Sequence, residues 1–563
     1  MNSIRLSRLF IIGVLIIMSI LIALPIIALL FGSFWSSRPG APGFLTFDNY
    51  IKTFTDIRSL NLLTNSLFYA FGAALLATSV ATVIAFLTSR TDTPLARVFT
   101  FIPFLPLAIP GIANSIAWVY LLSPRTGLIN LFFINTLGFS SAPFNIYSIW
   151  GMIWTSGLSL IPLTYVGVRA AMVSLNPALE DAGRISGAGI RQVISRITIP
   201  LVIPAMLSIF FLAFIIAFES FEVPAVIGIP GNVDVYMSAI AKSVLYRIPP
   251  NHGLATSQAI IMLIVTMLLV SLYRIATRRA EKFAVITGKG YSPRVMKLGK
   301  WRYVGVTILL IYLFVDIILP YSILFISSLH SFWHPKTLFE DLSFKNYMEL
   351  PAYSNLLRGF FNSIFVSSIS AFIAVLAAVF FTYYSLRSKV KGRGLLEGMG
   401  MLPIAFPGLV LGVGLLWAFI SLPIGIYGTL WVIILAYTIK YIPHGIRFES
   451  EPLLQIHPEL EDASRISGAS LLYTIRKITL VLLKPAIIGG WVYIALITFR
   501  ELGAAILLVS PGNEVISAVL YTMWAGGHIE HTIAAIMILA AIIWSTIFVV
   551  AIISWKRSKN KKG

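Results

Sequence analysis

Residues 180–188 read EDAGRISGA, and residues 461–469 read EDASRISGA, so eight of the nine positions are identical. The second stretch follows the first by 281 positions, which is half of the 563-residue chain. The match continues at the same spacing, for example through Thr198 and Thr479. Self-similarity at one long, fixed spacing indicates an internal duplication. The sequence therefore predicts two homologous halves.

Earlier segments repeat at a spacing of 297 positions instead. Residues 105–111 read LPLAIPG, and residues 402–408 read LPIAFPG. The difference between the two spacings is 16 residues, which predicts an insertion near residues 123–147 of the first half. Two copies in the same order, each with an even number of membrane spans, have the same orientation. We therefore expect two parallel halves about an axis along the membrane normal, with a pathway between them.

The composition places this duplication in a membrane. Apolar residues make up 58% of the chain and charged residues 11%, whereas soluble domains contain about 45–50% and about 25%. The mean hydropathy is +0.89. The net charge of +20 comes from basic residues between apolar stretches, which favours a role in membrane topology over nucleic-acid binding. The chain has no cysteines, which excludes disulfides and thiolate metal sites.

Twelve apolar stretches are long enough to cross a bilayer as helices, which takes about 20 residues. In the first half the predicted spans are 9–32, 63–89, 98–122, 148–171, 201–220 and 254–277. In the second half they are 303–328, 361–386, 398–421, 425–445, 485–509 and 534–555. The sequence thus predicts an all-α polytopic membrane protein of about 12 transmembrane helices. The first apolar stretch is too long for a signal peptide and is expected to remain as a helix.

Lysine and arginine residues set the predicted orientation. They concentrate in segments that share one side of the membrane if both termini are cytoplasmic, and the outer loop 123–147 holds only Arg125. The predicted organisation is a first permease half at 1–285 with a polar inner loop at 172–200, a basic cytoplasmic linker at 286–302, and a second permease half at 303–563 with a polar inner loop at 446–484. We expect an inner membrane location in a prokaryote.

The two inner loops are the strongest functional signal in the sequence. Each reads as a short helix, a glycine-permitted turn and a second helix that leads back into the bilayer. Such a loop presents a short amphipathic helix that fits a groove on a partner protein. The alternative is a solvated loop inherited by duplication. Because identity concentrates in the polar loop while the flanking apolar spans have diverged, the docking interpretation is favoured.

Both loops resemble the EAA motif of binding-protein-dependent ABC importer permeases, which have the type I importer fold. The pattern is Glu-Ala-Ala, three residues, Gly, about nine more residues and then Ile-x-x-Pro. The residues that this resemblance assigns to ATPase coupling are Glu180, Asp181, Ala182 and Gly187 in the first copy and Glu461, Asp462, Ala463 and Gly468 in the second. Aspartate replaces the motif's first glutamate in both copies, with a glutamate just before it, so the contacting carboxylate stays open. Val481 stands at the final proline position of the second copy.

The resemblance also implies partners. Each loop would dock on one of two ATP-binding subunits, and an extracytoplasmic solute-binding protein would deliver the substrate. The chain has no G-x-x-x-x-G-K-[ST] sequence, so ATP and Mg²⁺ are expected on the partner ATPase and no cofactor is expected in this chain. It shows no catalytic triad and no metalloenzyme signature, and we expect a transport subunit in contact with membrane lipid that is not itself an enzyme and binds no nucleic acid.

Charged residues near the ends of two spans are candidates for the substrate pathway or gate, because charges within a membrane usually line a pathway or pair. These candidates are Glu219, Glu222, Arg500 and Glu501. Glu219 and Arg500 are equivalent at the 281 spacing, and each lies 15 residues beyond a repeated proline, or about 22 Å along a helix. We expect them to face each other near an outer gate. The alternative is that both side chains extend to the outer interface.

The fused build and the segments FESFEVPAVIG and FRELGA resemble the iron(III)-type permease subfamily. The resemblance implies iron(III) as the substrate, and glutamates near the mouth suit a cation. Permeases of similar build carry thiamine, phosphonates or polyamines, which remain alternatives. Alternatives from other classes are an ion-coupled secondary transporter, which also has two repeats and twelve spans, and a channel or scaffold.

Overall fold

The computed structural model describes residues 2–283, 295–335, 338–387, 393–422 and 424–560. Most of the predicted linker 286–302 therefore lies outside the described residues. The prediction of an all-α protein is confirmed, because 77% of the structure is helical and the described residues contain no strand. Only isolated bridges, such as the one between Trp35 and Leu45, pair extended backbone in these residues.

The helices of the first half follow the predicted spans with short helices between them. They are α1 Asn2–Phe34, α2 Asp48–Thr55, α3 Ile57–Ser89, α4 Ala96–Phe99, α5 Gly111–Leu122, α6 Leu128–Asn135, α7 Ile149–Ser174, α8 Pro177–Ile185, α9 Ile190–Val193, α10 Ile199–Glu219, α11 Tyr236–Ala241 and α12 His252–Phe283.

The second half repeats this order with one short helix fewer in its outer loop and one break in its first span. Its helices are α13 Trp301–Leu313, α14 Leu319–Ser328, α15 Lys345–Glu349, α16 Ser354–Arg387, α17 Arg393–Met401, α18 Gly408–Ser421, α19 Leu430–Gln455, α20 Pro458–Ile466, α21 Leu471–Thr474, α22 Leu480–Phe499, α23 Ile516–Ala525 and α24 Ile529–Asn560. Turns of π-helix lie at Ile194–Thr198, Pro224–Gly228, Lys242–Tyr246, Phe314–Ile318 and Ile475–Thr479, and 3₁₀ turns at Ile102–Ala108, Leu350–Ala352 and Leu402–Ala405.

Nine helices of the described part of the chain are long and apolar enough to cross a membrane. Two bent pairs of helices bring the number to 11 if each pair is one span: Ala96–Pro106 with Gly111–Leu122 at 98° and Gly398–Ala405 with Gly408–Ser421 at 109°. The repeated Pro-Gly dipeptide lies at each bend, where a proline removes a backbone donor and ends the preceding segment. The remaining predicted span, 425–445, corresponds to α19, which is helical but is not among these apolar spans and carries Lys440, His444 and Arg447.

The chain forms two compact units that are discontinuous in sequence. The first unit comprises Met1–Ser59, Ala239–Thr266 and Tyr353–Val519. In it, the first helix of the chain, α1, packs on α18 of the second half, and α16, α19 and α22 pack on one another. The first span of one sequence half is thus part of the core built by the other half. The predicted boundaries of the duplicated halves stay a prediction.

The second unit comprises Leu60–Ser238, Met267–Ala352 and Leu520–Gly563. Here α14, from the first span of the second half, packs on α5 of the first half and on α24, while α10 packs on α7. In this unit too, the first span of one sequence half packs on helices of the other half. Each unit takes the first span of one half and the third span of the other.

A buried asparagine in each copy holds the end of that first span. The amide nitrogens of these asparagines donate to the last carbonyl groups of the span, which have no partner within the helix. The bonds are Asn49 Nδ2 to Ser33 O at 3.1 Å and to Trp35 O at 3.0 Å, and Asn346 Nδ2 to Ser328 O at 2.8 Å and to His330 O at 2.6 Å. These asparagines belong to the sequences FDNY at 47–50 and FKNY at 344–347, which repeat at the 297 spacing, and this repeat therefore has a structural role.

Two glycines allow α1 and α18 to approach closely in the first unit. A Cβ atom at Gly32 would lie 2.6 Å from the ring of Trp417, and a Cβ atom at Gly414 would lie 2.6 Å from the backbone oxygen of Pro25. Small residues at such crossings let helix backbones meet within a membrane. Gly13, on the same α1, has open space around it.

We predict that Gly414→Val destabilises the protein, because the new side chain would overlap the backbone of α1. Overpacking of this kind costs about 1–3 kcal/mol. The apparent melting temperature in detergent should fall relative to the wild type, whereas the control Gly13→Val should change it little. Equal melting temperatures for the two variants would contradict the close crossing.

Candidate functional site

Each predicted coupling loop contains a nine-residue helix that begins at a proline. In the first copy this helix is α8, and the side chain of Asn176 accepts a hydrogen bond of 2.9 Å from the backbone nitrogen of Ala178. Pro177 is the first helical residue, where its missing donor costs nothing. The second copy, α20, also begins at a proline, Pro458, but the side chain of its N-cap residue His457 makes no capping hydrogen bond. The predicted short helix is therefore present in both loops.

The glycine of each loop ends its helix. Gly187 has φ +85° and Gly468 has φ +89°, in the left-handed region that favours glycine. The same three backbone bonds close both turns. They are Ser186 N to Ala182 O, Gly187 N to Arg184 O and Ala188 N to Gly183 O in the first copy, and Ser467 N to Ala463 O, Gly468 N to Arg465 O and Ala469 N to Ser464 O in the second. The predicted turn is thus a matched C-terminal cap in both copies.

An exposed isoleucine stands at the tip of each helix, just before the turn. Ile185 and Ile466 are each 87% exposed, and they are equivalent at the 281 spacing. Around them, Ala182, Ala463 and Asp462 are also exposed, while Asp181 is half-buried. A large apolar side chain is thus exposed at the same place in both copies.

The glutamates beside these tips lie on the opposite, inner side of the helices. In the first copy the side chain of Glu180 forms an ion pair with Arg90, and both side chains are buried. The hydroxyl group of Thr198 donates to the other carboxylate oxygen of Glu180 at 2.7 Å. Burial of a charge is tolerated when it is paired and hydrogen-bonded in this way. We call these three residues the first latch.

The second copy repeats this arrangement. The carboxylate of Glu461 lies 3.6 Å from Arg387 Nε, and it accepts hydrogen bonds from Thr479 Oγ1 at 3.0 Å and from the Tyr383 hydroxyl group at 3.1 Å. Arg387 also donates to the backbone oxygen of Leu453 at 2.9 Å. We call Arg387, Glu461 and Thr479 the second latch. Its members follow those of the first latch at the spacings of the duplication, 297 for arginine and 281 for the other two.

The two latches divide the predicted coupling residues into two groups. Asp462, Ala182 and Ala463 are accessible from solvent, whereas Glu180 and Glu461 are buried within the chain. The contact predicted between these residues and an ATPase stays a prediction for both groups. Arg90 and Arg387 were missed by the sequence analysis, although they share the 297 spacing and each lies at the end of a predicted span.

The membrane carboxylates of the second unit gather near a helix break. Glu219 is the last residue of α10, and Glu222 follows the break after it. Glu222 packs against the first residue of α5, since a Cβ atom at Gly111 would overlap the Glu222 carboxylate. The N-terminus of a helix favours a negative charge. Glycine at this position therefore leaves room for a carboxylate at the bend of the third span.

The first unit places a glutamate beside the equivalent glycine, Gly408. Glu501 Oε1 lies 2.8 Å from Lys440 Nζ, and the Tyr441 hydroxyl group donates to Glu501 Oε2 at 2.7 Å. A Cβ atom at Gly408 would lie 2.6 Å from Glu501 Oε1. Glu501 is thus held by an ion pair that the sequence analysis did not find. Lys440 is one of the polar residues, with His444 and Arg447, that make α19 less apolar than the other spans.

The predicted approach of Glu219 and Arg500 stays a prediction, because Glu219 belongs to the second unit and Arg500 to the first. Arg500 directly follows α22, as Glu219 ends α10, so their equivalent places in the two copies agree with the duplication. In the described part of the chain no cluster of three or more histidine, aspartate or glutamate side chains is arranged to hold a metal ion.

Comparisons with known proteins agree with the loop signature. Residues 77–282 match the family described as "Binding-protein-dependent transport system inner membrane component". Over 571 residues the chain is 25% identical to the ferric transport system permease protein FbpB of Actinobacillus pleuropneumoniae, covering 98% of this chain and 80% of that protein. These matches confirm the predicted resemblance to binding-protein-dependent permeases, and the apolar helices accordingly belong to a multi-pass inner membrane protein.

Two further relatives and one solved structure complete the comparison. A Haemophilus influenzae protein named as a ferric transport system permease, FbpB 1, is 26% identical over 89% of this chain and 78% of its own length. A Salmonella paratyphi A protein, PhnV, named for 2-aminoethylphosphonate transport, is 26% identical over 40% of this chain and 84% of its own. The crystal structure of a bacterial alginate ABC transporter with its periplasmic protein is 22% identical, with a TM-score of 0.37, over 43% of this chain and 85% of that one.

We predict that the double variant Gly187→Ala and Gly468→Ala weakens both helix caps, because a left-handed conformation costs a residue with a Cβ atom about 1–2 kcal/mol. Amide hydrogen exchange in 177–188 and 458–469 should speed up about 5–30-fold. The control is Gly189→Ala, since Gly189 also has open space but no left-handed φ. Unchanged exchange in the double variant would show that the caps do not hold these helices.

Proposed function

We propose that this chain, which resembles the binding-protein-dependent ABC importer permeases, passes a substrate through the membrane as the permease subunit of an ATP-driven importer. The observation that carries this proposal is the pair of equivalent loop helices α8 and α20, which we call the coupling helices. Each has an isoleucine at its tip that is 87% exposed. The two equivalent exposed tips, one from each half, would fit equivalent pockets on a pair of ATP-binding subunits.

The docking surface that we propose consists of the tip and outer face of each helix. Ile185 and Ile466 would enter apolar pockets of the ATPase subunits, and Asp181 and Asp462 would lie at the rim of the contact. Complete burial of one isoleucine side chain favours binding by about 1.5–3 kcal/mol. A few residues usually carry most of the binding energy of an interface, and in this proposal the two isoleucines carry most of it.

Energy would enter through these two contacts. ATP and Mg²⁺ would be bound by the ATPase subunits, and this chain itself would convert the movement of its coupling helices into a change between inward-open and outward-open states. A partner shifts such an equilibrium only by binding one state more tightly than the other. The docking surfaces are therefore the places where nucleotide state biases the permease.

Iron(III) is the substrate that we propose. The names of the Haemophilus and Actinobacillus relatives, which match along most of this chain, support a ferric substrate. Glu219, Glu222 and Glu501 supply hard oxygen donors near the helix breaks, and these suit a highly charged cation in transit. PhnV, which matches only 40% of this chain, keeps a phosphonate as the second candidate. Thiamine and polyamines are further candidates, and an ion-coupled secondary transporter is the alternative of another class.

The proposed topology places both termini and the coupling loops in the cytoplasm. The family description implies that a solute-binding protein delivers the substrate from the other side. It would meet the outer segments of the chain, while the ATPase subunits meet the inner loops. Substrate and energy would then enter from opposite faces of the membrane.

We predict that Ile185→Asp and Ile466→Asp together abolish co-purification of the ATPase subunits, because a charged side chain cannot enter an apolar pocket. Each substitution should weaken binding about tenfold or more, which corresponds to about 1.4 kcal/mol. The matched control is Ile248→Asp, at an isoleucine 96% exposed in a predicted outer segment. Full recovery of the ATPase subunits with the double variant would contradict the proposed docking surface.

We predict that proteoliposomes containing this chain, its ATPase and its solute-binding protein accumulate radiolabelled iron(III) only when ATP is present on the ATPase side. Parallel assays with labelled 2-aminoethylphosphonate, thiamine and spermidine test the other substrates. ATP-dependent uptake of one of these compounds instead of iron would support the importer function and contradict iron(III) as its substrate. Uptake driven by an ion gradient without ATP would contradict the importer itself.

A further inference from the structure

A single buried carboxylate joins three elements in each half of the chain. Glu180 belongs to the coupling helix α8, Arg90 directly follows α3, the second span, and Thr198 directly precedes α10, the main helix of the fifth span. In the second copy Glu461 lies in α20, Arg387 ends α16, and Thr479 precedes α22. The coupling helix is thus tied at one point to the ends of two membrane spans.

We propose that the two latches are transmission points, in which Glu180 and Glu461 act as positioning residues that carry each movement of a coupling helix to the second and fifth spans of its half. This inference rests on the proposed function and assigns different tasks to the two neighbouring acidic residues of each Glu-Asp-Ala sequence. Asp181 and Asp462 belong to the docking surface, and Glu180 and Glu461 to the internal connection.

Burial makes the connection stiff. The side chains of Arg90 and Glu180 are 0% and 6% exposed, and those of Arg387 and Glu461 are 12% and 8% exposed. Separating such a pair while both groups stay buried would leave uncompensated charges inside the protein, which is strongly destabilising. The helix therefore cannot slide away from the spans while the latch is closed, and a load on the helix is passed on to both spans.

A turn of π-helix places the threonine of each latch. Ile194–Thr198 and Ile475–Thr479 are π turns at the same spacing of 281, and each ends at the threonine that donates to the glutamate. A π turn inside a helix is uncommon and is frequently found at functional sites. The local change in helical winding in both copies brings a hydroxyl group onto a carboxylate 18 residues earlier in the chain.

The far end of the fifth span carries the membrane charges. Helix α10 runs from Ile199 to Glu219, about 32 Å at 1.5 Å per residue, and α22 ends just before Arg500 and Glu501. A rigid helix that is moved at its latch end also moves the charged residues at its other end. The latch therefore connects a coupling helix to the proposed pathway residues of the same half.

The test uses the permease assembled with its ATPase subunits. Thr198→Val and Thr479→Val together remove two buried hydroxyl groups at nearly constant volume and leave the exposed tips unchanged. We expect the ATPase subunits to co-purify as in the wild type, while the number of ATP molecules hydrolysed for each substrate molecule transported rises at least threefold. The control, Thr198→Ser with Thr479→Ser, keeps both hydroxyl groups and should retain wild-type coupling.

A second measurement does not depend on the ATPase. In the permease alone, hydrogen exchange in α8 and α20 should be faster in the valine variant than in the serine variant, and Glu180→Gln with Glu461→Gln should act in the same direction. If the valine and glutamine variants form intact complexes with wild-type coupling, the proposal that the latches transmit movement is contradicted. Failure of the wild-type chain to bind any ATPase subunit would instead overturn the proposed function and leave the exchange result to decide on the latch.

Discussion

The buried carboxylate of each coupling helix is the constraint on which the rest of the inner loops depends. An ionised glutamate that is buried in a protein needs a counter-charge and hydrogen-bond donors. Here an arginine at the end of the second span supplies the charge, and a threonine 18 residues later in the chain donates a hydrogen bond. Meeting that need fixes the inner face of the helix against the protein. The opposite face, with the isoleucine tip and the glycine cap, is left in solvent. The pairing of the buried glutamate thus determines which face of the helix is anchored to the protein and which face is accessible to a partner.

A carboxylate is also held at equivalent places where the third spans bend. Gly111 and Gly408 are equivalent, and each leaves space for a glutamate that arrives from the segment after the fifth span. Glu501 is balanced by Lys440, and Glu222 lies at the first turn of α5. Each half therefore joins a latch near one end of its fifth span to a carboxylate near the other. The proposed mechanism needs only that these spans move as rigid bodies between two states.

Sequence patterns predicted most of the architecture, because apolar length and duplication are local signals. The helical class, the loop helices and the turns at Gly187 and Gly468 all follow from short stretches. The patterns missed Arg90 and Lys440, since their roles depend on partners 90 and 61 residues away in the chain. They also missed the exchange of first spans, seen in the packing of α1 on α18, because helix packing across a duplication leaves no periodic trace in either partner.

The central claim is that the isoleucine tips face an ATPase subunit. Since the wild-type chain has no cysteine, a single cysteine at Ile466 reports its own accessibility. The decisive measurement is its rate of reaction with a membrane-impermeant maleimide in inside-out vesicles, with and without the ATPase subunits. The account predicts rapid labelling of the permease alone and at least tenfold protection in the complex. A cysteine at Val295, an exposed residue of the predicted cytoplasmic linker 286–302, should not be protected. Equal labelling rates at position 466 with and without the ATPase would contradict it.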